Sequence, residues 1–261
     1  MIVGLIGAGH IAHALAEGWS RPGLSGAPQL LFHDVDAVRA ADLAASCGGA
    51  VAADLAGLVT AADLVLVAVR PQHVGAVLAA VAPLLGERPL ISVAAGVTLE
   101  RLCAGLAPGA RVARVMPNIA AALGLGTFLL VPGTLGPHLA QVERLFGLAG
   151  EVVEVDEGLF DAATAISGCM PGVLARLVSA FADAGHEHGL ATDVAVRLAV
   201  SGVHGAAALI AREGDPAAVV TATATPGGMT AAAIDALEER ELHLVVHAAV
   251  AAATARAKEL A

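Results

Sequence analysis

Residues 2–12 read IVGLIGAGHIA, and this stretch decides the fold of the first half of the chain. A run of apolar and small residues, typical of a buried strand, leads directly into the loop Gly7-Ala8-Gly9-His10-Ile11. Gly7 permits a tight turn, Gly9 lets a pyrophosphate approach the backbone, and the small Ala12 allows a helix to pack on the strand. The stretch therefore predicts a dinucleotide site with its phosphates at a helix N-terminus, and a ligand-free structural turn is the alternative.

The second predicted strand ends at His33-Asp34, where a dinucleotide fold meets the adenosine ribose. A carboxylate there accepts hydrogen bonds from ribose hydroxyls and repels a 2′-phosphate, so Asp34 favours NADH over NADPH. Two neighbours leave alternatives open. Asp36 could cap the next helix, and Arg39, one turn further on, could bind a phosphate.

Short apolar runs alternate with Ala-rich helical stretches as far as residue 156, which is the pattern of βαβ units. The predicted strands are Ile2–Ile6, Leu30–His33, Leu64–Val69, Leu90–Val93, Val112–Val115, Thr127–Val131 and Val152–Glu154. Beyond Asp156 we predict helices only, over 162–188, 194–213 and 230–258, interrupted at Gly185, at Gly189 and by a turn at 225–228. The expected fold class is α/β, with a Rossmann-like dinucleotide-binding domain at 1–156 and an all-helical domain at 157–261.

Composition excludes several classes of protein. The net charge of −10 and the scattered Arg residues argue against a nucleic-acid partner. The longest uncharged apolar stretches, such as Val74–Leu85, fall short of the roughly 20 residues that cross a bilayer, so no membrane partner is expected. The three cysteines show no Cys-x-x-Cys spacing, and no basic segment precedes the first apolar run. These features predict a cytoplasmic protein.

Two absences limit the chemistry. The only Lys is Lys258, and Tyr is missing from the chain, so the Tyr–Lys pair of short-chain dehydrogenases has no counterpart. His243 and His247 have the i, i+4 spacing of a metal pair, but no motif supplies a further ligand. Cys169 has no His tied to it by motif, so we interpret it as a packing residue. We predict no metal site.

Three more loops follow predicted strands, at Val69–Gln72, Ser92–Val97 and Arg114–Asn118. Together with Asp161–Gly168 and Thr225–Thr230 they form an ordered set that spans nearly the whole chain and resembles the pyrroline-5-carboxylate reductases. The resemblance implies NAD(P)H-dependent reduction of the C=N bond of 1-pyrroline-5-carboxylate to L-proline. It also implies a homodimer, possibly assembled into a ring of dimers, whose helical domains interlock.

The resemblance assigns roles residue by residue. Cofactor binding is implied for Gly7, Ala8, Gly9, His10, Ile11, Ala68, Val69, Arg70, Pro71, Ala94, Ala95 and Gly96. Asn118 would lie close to the nicotinamide and the substrate. Backbone N–H groups of the substrate carboxylate site are implied for Ser167, Gly168, Thr225, Pro226, Gly227, Gly228 and Met229, although Pro226 itself carries no N–H. Thr230 would hydrogen-bond the ring nitrogen as the catalytic residue, or else cap a helix.

The chain departs from the family at four places. His10 replaces the usual Asn of the first loop, Arg70 stands where Lys is commoner, and the other two departures lie in the second half of the chain. Cys169-Met170 stands where a Ser-Gly pair is usual, and Ser201-Gly202 replaces the usual Gln-Thr. Two further hypotheses therefore remain: reduction of a different cyclic imine, or a catalytically idle relative that only binds a dinucleotide. One methylene in a ring changes binding by only about 1–3 kcal/mol, so sequence does not choose between ring sizes.

Overall fold

The computed structural model describes residues 1–260 and builds one eight-stranded sheet from the first 154 of them. The strands are β1 (Ile2–Ile6), β2 (Gln29–His33), β3 (Ala50–Val51), β4 (Leu64–Val67), β5 (Leu90–Ser92), β6 (Val112–Met116), β7 (Gly126–Val131) and β8 (Gly150–Glu154). Their order is β3-β2-β1-β4-β5-β6-β7-β8, and every neighbouring pair is parallel except β6 and β7. The predicted α/β class is confirmed.

The strand order reverses between β1 and β4, and this reversal fixes where a ligand can enter. In an open parallel sheet the crevice at such a switch point lies beyond the carboxyl ends of the strands. The ends of β1, β4, β5 and β6 are the places where the predicted cofactor and substrate loops begin.

Six helices follow these strands along the chain and cover the sheet on both faces. They are α1 (His10–Trp19), α2 (Ala37–Cys47), α3 (Leu55–Ala61), α4 (Pro71–Leu85), α5 (Leu99–Ala104) and α6 (Leu139–Gly147). On one face Leu15, Trp19 and Phe146 join a core cluster, and on the other Leu58 and Leu78 join a second. The loop at the end of β1 is therefore anchored by apolar packing on either side of the sheet.

The rest of the described chain is helical. Its elements are α7 (Phe160–Ser167), α8 (Met170–Glu187), α9 (Thr192–Glu213), α10 (Pro216–Thr223), α11 (Met229–Glu238) and α12 (Leu242–Leu260). Helix α10 was not predicted, although Asp215 caps it and Pro216 opens it, which is a recognisable helix start. The predicted helix 230–258 is interrupted at Glu239–Glu241, where Glu241 has a φ of 55°.

The predicted interruption at Gly185 is wrong, because this residue lies inside α8. A side chain there would approach Leu190 at 3.2 Å and Ala195 at 3.3 Å. Gly185 therefore allows the segment leading into α9 to pack closely on α8, and it does not end the helix.

Packing divides the chain into two compact units at Cys169/Met170, whereas the predicted domain boundary is at 156/157. The first unit comprises residues 1–169 and the chain from Ala252, and the second is Met170–Ala251.

Two helical stretches, Glu157–Glu187 and Thr192–Glu213, have the length and composition to cross a membrane, with only 11% and 6% of their most apolar windows buried. Both stretches contain charged residues, among them Arg176 and Arg197, so they are longer than the uncharged stretches on which the sequence-based expectation rests.

Candidate active site

The glycine-rich loop between β1 and α1 has the geometry that a pyrophosphate requires. Gly7 has a φ of 103°, and a Cβ there would lie 2.7 Å from the carbonyl oxygen of Ala68. A Cβ on Gly9 would meet nothing within 4 Å, so this position faces open space. Gly9 is also the N-cap of α1 and offers its helix no side-chain hydrogen bond, which leaves the first N–H groups of α1 available to an anion. His10 and Ile11 open the helix itself.

Asp34 holds this loop in place. Its Oδ2 accepts a hydrogen bond of 2.7 Å from the N–H of Ala8, and its Oδ1 accepts one of 2.8 Å from the N–H of Asp36. Asp34 thus ties the end of β2 to the glycine-rich loop, a contact that sequence reasoning did not predict. The negative charge still lies beside the predicted adenosine site.

The two alternatives weighed for the neighbours of Asp34 have different outcomes. Asp36 does cap α2, because its side chain accepts hydrogen bonds from the N–H groups of Val38 and Arg39. The Arg39 side chain points back to Asp36, with its Nε 3.4 Å from Oδ2. Arg39 thus contacts a carboxylate, in a solvent-exposed pair in which 65% of its side chain is accessible.

The loops after β4 and β5 run beside the glycine-rich loop. Ala68 donates its N–H to the carbonyl oxygen of Ile6 at 2.8 Å, and Val93 donates to that of Val67 at 3.0 Å. Strand β4 ends two residues earlier than predicted, because Arg70 is already the N-cap of α4 and Pro71 its first residue. The next loop contains Ala94 and Ala95 and turns at Gly96, whose φ is 69°.

Asn118 follows β6 and is nearly buried, with 7% of its surface exposed. Its Nδ2 donates to the carbonyl oxygen of Ser167 at 3.2 Å, and its Oδ1 accepts from the N–H groups of Ala120 and Thr127 at 3.2 and 3.4 Å. The structure therefore brings together two of the predicted substrate residues, Asn118 and Ser167.

The predicted role of the Ser167 and Gly168 backbone needs correction. The N–H of Gly168 donates to the carbonyl oxygen of Thr164 at 2.9 Å, and Ser167 lies within α7 with its hydroxyl bonded to the carbonyl of Ala163. These N–H groups serve the helix and are not free for a substrate carboxylate, contrary to the prediction.

The segment Thr225–Gly228 is a tight turn that opens α11. Gly228 donates its N–H to the carbonyl of Thr225 at 2.9 Å, and Gly227 has a φ of 72°, so Pro226 and Gly227 take the central positions of a type II turn. Gly228 is the N-cap and gives no side-chain bond, so the N–H groups that begin at Met229 are left for an anion.

Thr230 is the second residue of α11 and is exposed. The N-cap is Gly228, so the alternative in which Thr230 caps the helix is wrong. Within residues 1–260 the Thr230 hydroxyl makes no hydrogen bond, which leaves it free to meet a ligand.

Comparison with known proteins places these features in a family. The model for "Pyrroline-5-carboxylate reductase dimerisation" matches residues 157–260, and that for "NADP oxidoreductase coenzyme F420-dependent" matches residues 2–96. A pyrroline-5-carboxylate reductase of Mycobacterium leprae is 37% identical over 99% of this chain and 96% of its own length. The chain belongs to the pyrroline-5-carboxylate reductases.

Solved structures of pyrroline-5-carboxylate reductases share the fold over its whole length. One from Coxiella burnetii has a TM-score of 0.90 at 26% identity and covers 99% of this chain and 98% of its own. Another, from Plasmodium falciparum and described with NADP bound, has a TM-score of 0.84 at 25% identity, with 100% and 98% coverage. The predicted resemblance to the pyrroline-5-carboxylate reductases is confirmed. The predicted enzyme class, an NAD(P)H-dependent oxidoreductase, is confirmed as well.

Two of the positions at which this chain departs from the usual motifs of the family lie in α8 and α9. Met170 is the first residue of α8 and is 40% exposed. Gly202 lines an apolar groove of about 400 Å³ beside α8 and α9. His243 and His247 are exposed on α12, and the described residues contain no cluster of three or more potential metal ligands.

Sequence reasoning missed one ion pair, in which the cation is buried and the carboxylate is partly exposed. Arg114 on β6 is 4% exposed, and its Nη1 lies 2.5 Å from Oε1 of Glu157. The available signal was a charged residue inside an apolar strand, VARVM, within a motif that had been interpreted only for Asn118.

Proposed function

We propose that this protein reduces the C=N bond of 1-pyrroline-5-carboxylate to L-proline with a reduced nicotinamide dinucleotide. The observation that carries the proposal is the 37% identity to a pyrroline-5-carboxylate reductase over nearly the full length of both chains. The glycine-rich loop and the Thr225–Gly228 turn, at opposite ends of the sequence, support it independently.

The first unit supplies the cofactor site. The residues that fit the dinucleotide are those of the open cradle at Gly9, the uncapped start of α1 and the loops after β4 and β5. When bound, the reduced nicotinamide supplies the hydride. Asn118 would border the nicotinamide end of the site, and its two hydrogen-bonded faces hold it in one orientation.

The turn before α11 supplies the anion site for the substrate carboxylate. N–H groups at a helix N-terminus bind carboxylates by hydrogen bonding and through the helix dipole. A cyclic imine is protonated near neutral pH, so its reduction depends on orientation more than on a strong acid. Thr230, with a free hydroxyl two residues beyond Gly228, would hydrogen-bond the ring nitrogen.

We propose that NADH is preferred to NADPH. Asp34 and Asp36 place two carboxylates after β2, and the one guanidinium that follows, that of Arg39, contacts Asp36, so a 2′-phosphate would meet more negative than positive charge. Comparing kcat/KM for the two cofactors tests this, and a tenfold preference for NADPH would contradict it. The NADP bound in the Plasmodium structure is an observation on that protein and does not decide the cofactor preference of this chain.

We further propose a homodimer, with a ring of dimers as the larger form. Helices α8 and α9 expose large apolar residues, among them Phe181 at 63% and Leu198 at 57%. Both helices lie within the residues that match the dimerisation model, so we propose that a second subunit covers these apolar side chains. We also propose that the enzyme is cytoplasmic and has no lipid or nucleic-acid partner.

The experiment that tests the function measures cofactor oxidation with 1-pyrroline-5-carboxylate beside its six-membered homologue. The proposal expects turnover with the five-membered ring at the higher kcat/KM. A higher kcat/KM for the six-membered ring would favour reduction of a different cyclic imine, the hypothesis suggested by Met170. Cofactor binding without oxidation of any imine would instead identify an idle relative.

A further inference from the structure

The ion pair between Arg114 and Glu157 joins three segments of the first unit. The guanidinium of Arg114 also lies over the ring of Phe160, 4.0 Å from its centroid, at the first residue of α7. Oε1 of Glu157 accepts a second hydrogen bond, of 3.1 Å, from the N–H of Leu99. Leu99 opens α5 just beyond the Ala94–Gly96 loop, so one carboxylate connects that loop, strand β6 and the start of α7.

Helix α7 is also held at its other end by the same strand and loop. Four residues beyond Arg114, Asn118 donates to the carbonyl oxygen of Ser167, the last residue of α7. The helix is therefore fixed at both ends by residues that come from β6 and the loop after it. Consistent with this attachment, α7 belongs to the same compact unit as the sheet.

The ion pair between Arg114 and Glu157 contributes little net stability to the folded protein. Nε of Arg114 and Oε2 of Glu157 are shielded from solvent and have no hydrogen-bond partner. The Arg114 side chain is 4% exposed and that of Glu157 is 35% exposed, so it is chiefly the guanidinium that is desolvated. This cost offsets much of the attraction, and an apolar side chain of similar size often stabilises a buried position at least as well. What apolar packing does not supply is the directional geometry of an ion pair bonded to a backbone N–H.

We propose that Arg114 and Glu157 are positioning residues, which set α7 against the Asn118 loop and the Ala94–Gly96 loop and thereby align substrate with cofactor. The inference rests on the proposed function, because it concerns the same site. Neither residue acts on the reacting atoms directly. A displacement of about 1 Å in a reactive complex costs up to about a hundredfold in rate, so a small movement of α7 is enough to matter.

The first test replaces Glu157→Gln and, separately, Arg114→Lys, with Glu87→Gln as the matched control. Glu87 forms a surface pair with Arg111, at 3.7 Å and with 88% of the Glu87 side chain exposed. We expect each buried variant to lower kcat about ten- to a hundredfold while the KM for 1-pyrroline-5-carboxylate and the Kd for NADH change less than about threefold. The control should match the wild-type protein in all three quantities.

The second test separates positioning from folding. The double variant Arg114→Met, Glu157→Leu removes both charges and keeps the volume, so its Tm should stay near that of the wild-type protein or rise. The proposal expects kcat to remain at least about tenfold low in this stable protein. A double variant with normal kcat would overturn it, and so would single variants that lose only Tm.

Amide hydrogen exchange gives a readout that does not need turnover. In Glu157→Gln we expect exchange in 157–168 and around Asn118 to rise at least about tenfold, with α1 and α4 unchanged. If the wild-type protein binds NADH but reduces no imine, the proposed function fails while this measurement still decides the positioning role. Unchanged exchange in 157–168 would overturn the inference.

Discussion

At the scale of single residues, the free hydroxyl of Thr230 is the group whose chemistry is tested most simply. Thr230→Ala should lower kcat/KM about ten- to a hundredfold, equivalent to one hydrogen bond of about 1.5–3 kcal/mol to a charged group. Stability should hardly change, because Gly228 and not Thr230 is the N-cap of α11. Steady-state kinetics and thermal unfolding on the same variant check both statements, and Thr230→Ser should restore most of the rate. Normal turnover in Thr230→Ala would remove the residue from the mechanism.

The charge of Asp34 is tested at the same scale. Asp34→Asn removes the negative charge but keeps an oxygen that can accept the N–H of Ala8. We expect the ratio of kcat/KM for NADH to that for NADPH to fall, because repulsion of the 2′-phosphate is relieved. Asp34→Ser removes both the charge and the contact, so it should also weaken binding of both cofactors. An unchanged ratio in Asp34→Asn would contradict the charge argument.

Among the secondary-structure elements, the loop between β1 and α1 contains two glycines whose replacement by Ala should have different effects on stability and on cofactor binding. Gly7→Ala adds a Cβ 2.7 Å from a backbone carbonyl at a φ of 103°, so it should cost about 1–3 kcal/mol of stability. Gly9→Ala adds a Cβ to open space, so it should cost no more than about 1 kcal/mol while weakening cofactor binding by occupying the cradle. Unfolding curves and NADH titrations distinguish the two. Equal NADH affinity in Gly9→Ala and the wild-type protein would argue against a cofactor at this loop.

How far sequence predicts these elements depends on whether the determining contact is local. Strand Ile2–Ile6 is observed as predicted, because an apolar run and the loop after it define both ends. Strand Leu64–Val69 was predicted two residues too long, since Ala68 and Val69 are apolar but already belong to a loop. The contacts of Arg114 and Asn118 join residues 43 and 49 positions apart, and no local pattern specifies such pairs. The same holds for the bond from Ala8 to Asp34, which depends on the conformation of two loops.

At the scale of the whole molecule, the exposed apolar faces of α8 and α9 predict that assembly and activity are coupled. Leu198→Glu places a charge beside the apolar groove and should shift the protein from dimer to monomer with loss of turnover. Leu84→Glu, on α4 and 37% exposed, is the control and should leave the dimer intact. Light scattering at micromolar concentration, with activity measured on the same samples, checks the prediction. A monomeric Leu198→Glu protein with full activity would contradict the coupling of assembly and activity.

The proposed reaction transfers hydride from a nicotinamide cofactor to the C=N carbon of 1-pyrroline-5-carboxylate. The most direct measurement supplies the purified protein with this imine and with NADH deuterated at the transferable position, and analyses the product by mass spectrometry. We expect L-proline that carries one deuterium atom, formed in the same molar amount as the cofactor oxidised. Cofactor binding without any labelled proline would contradict it.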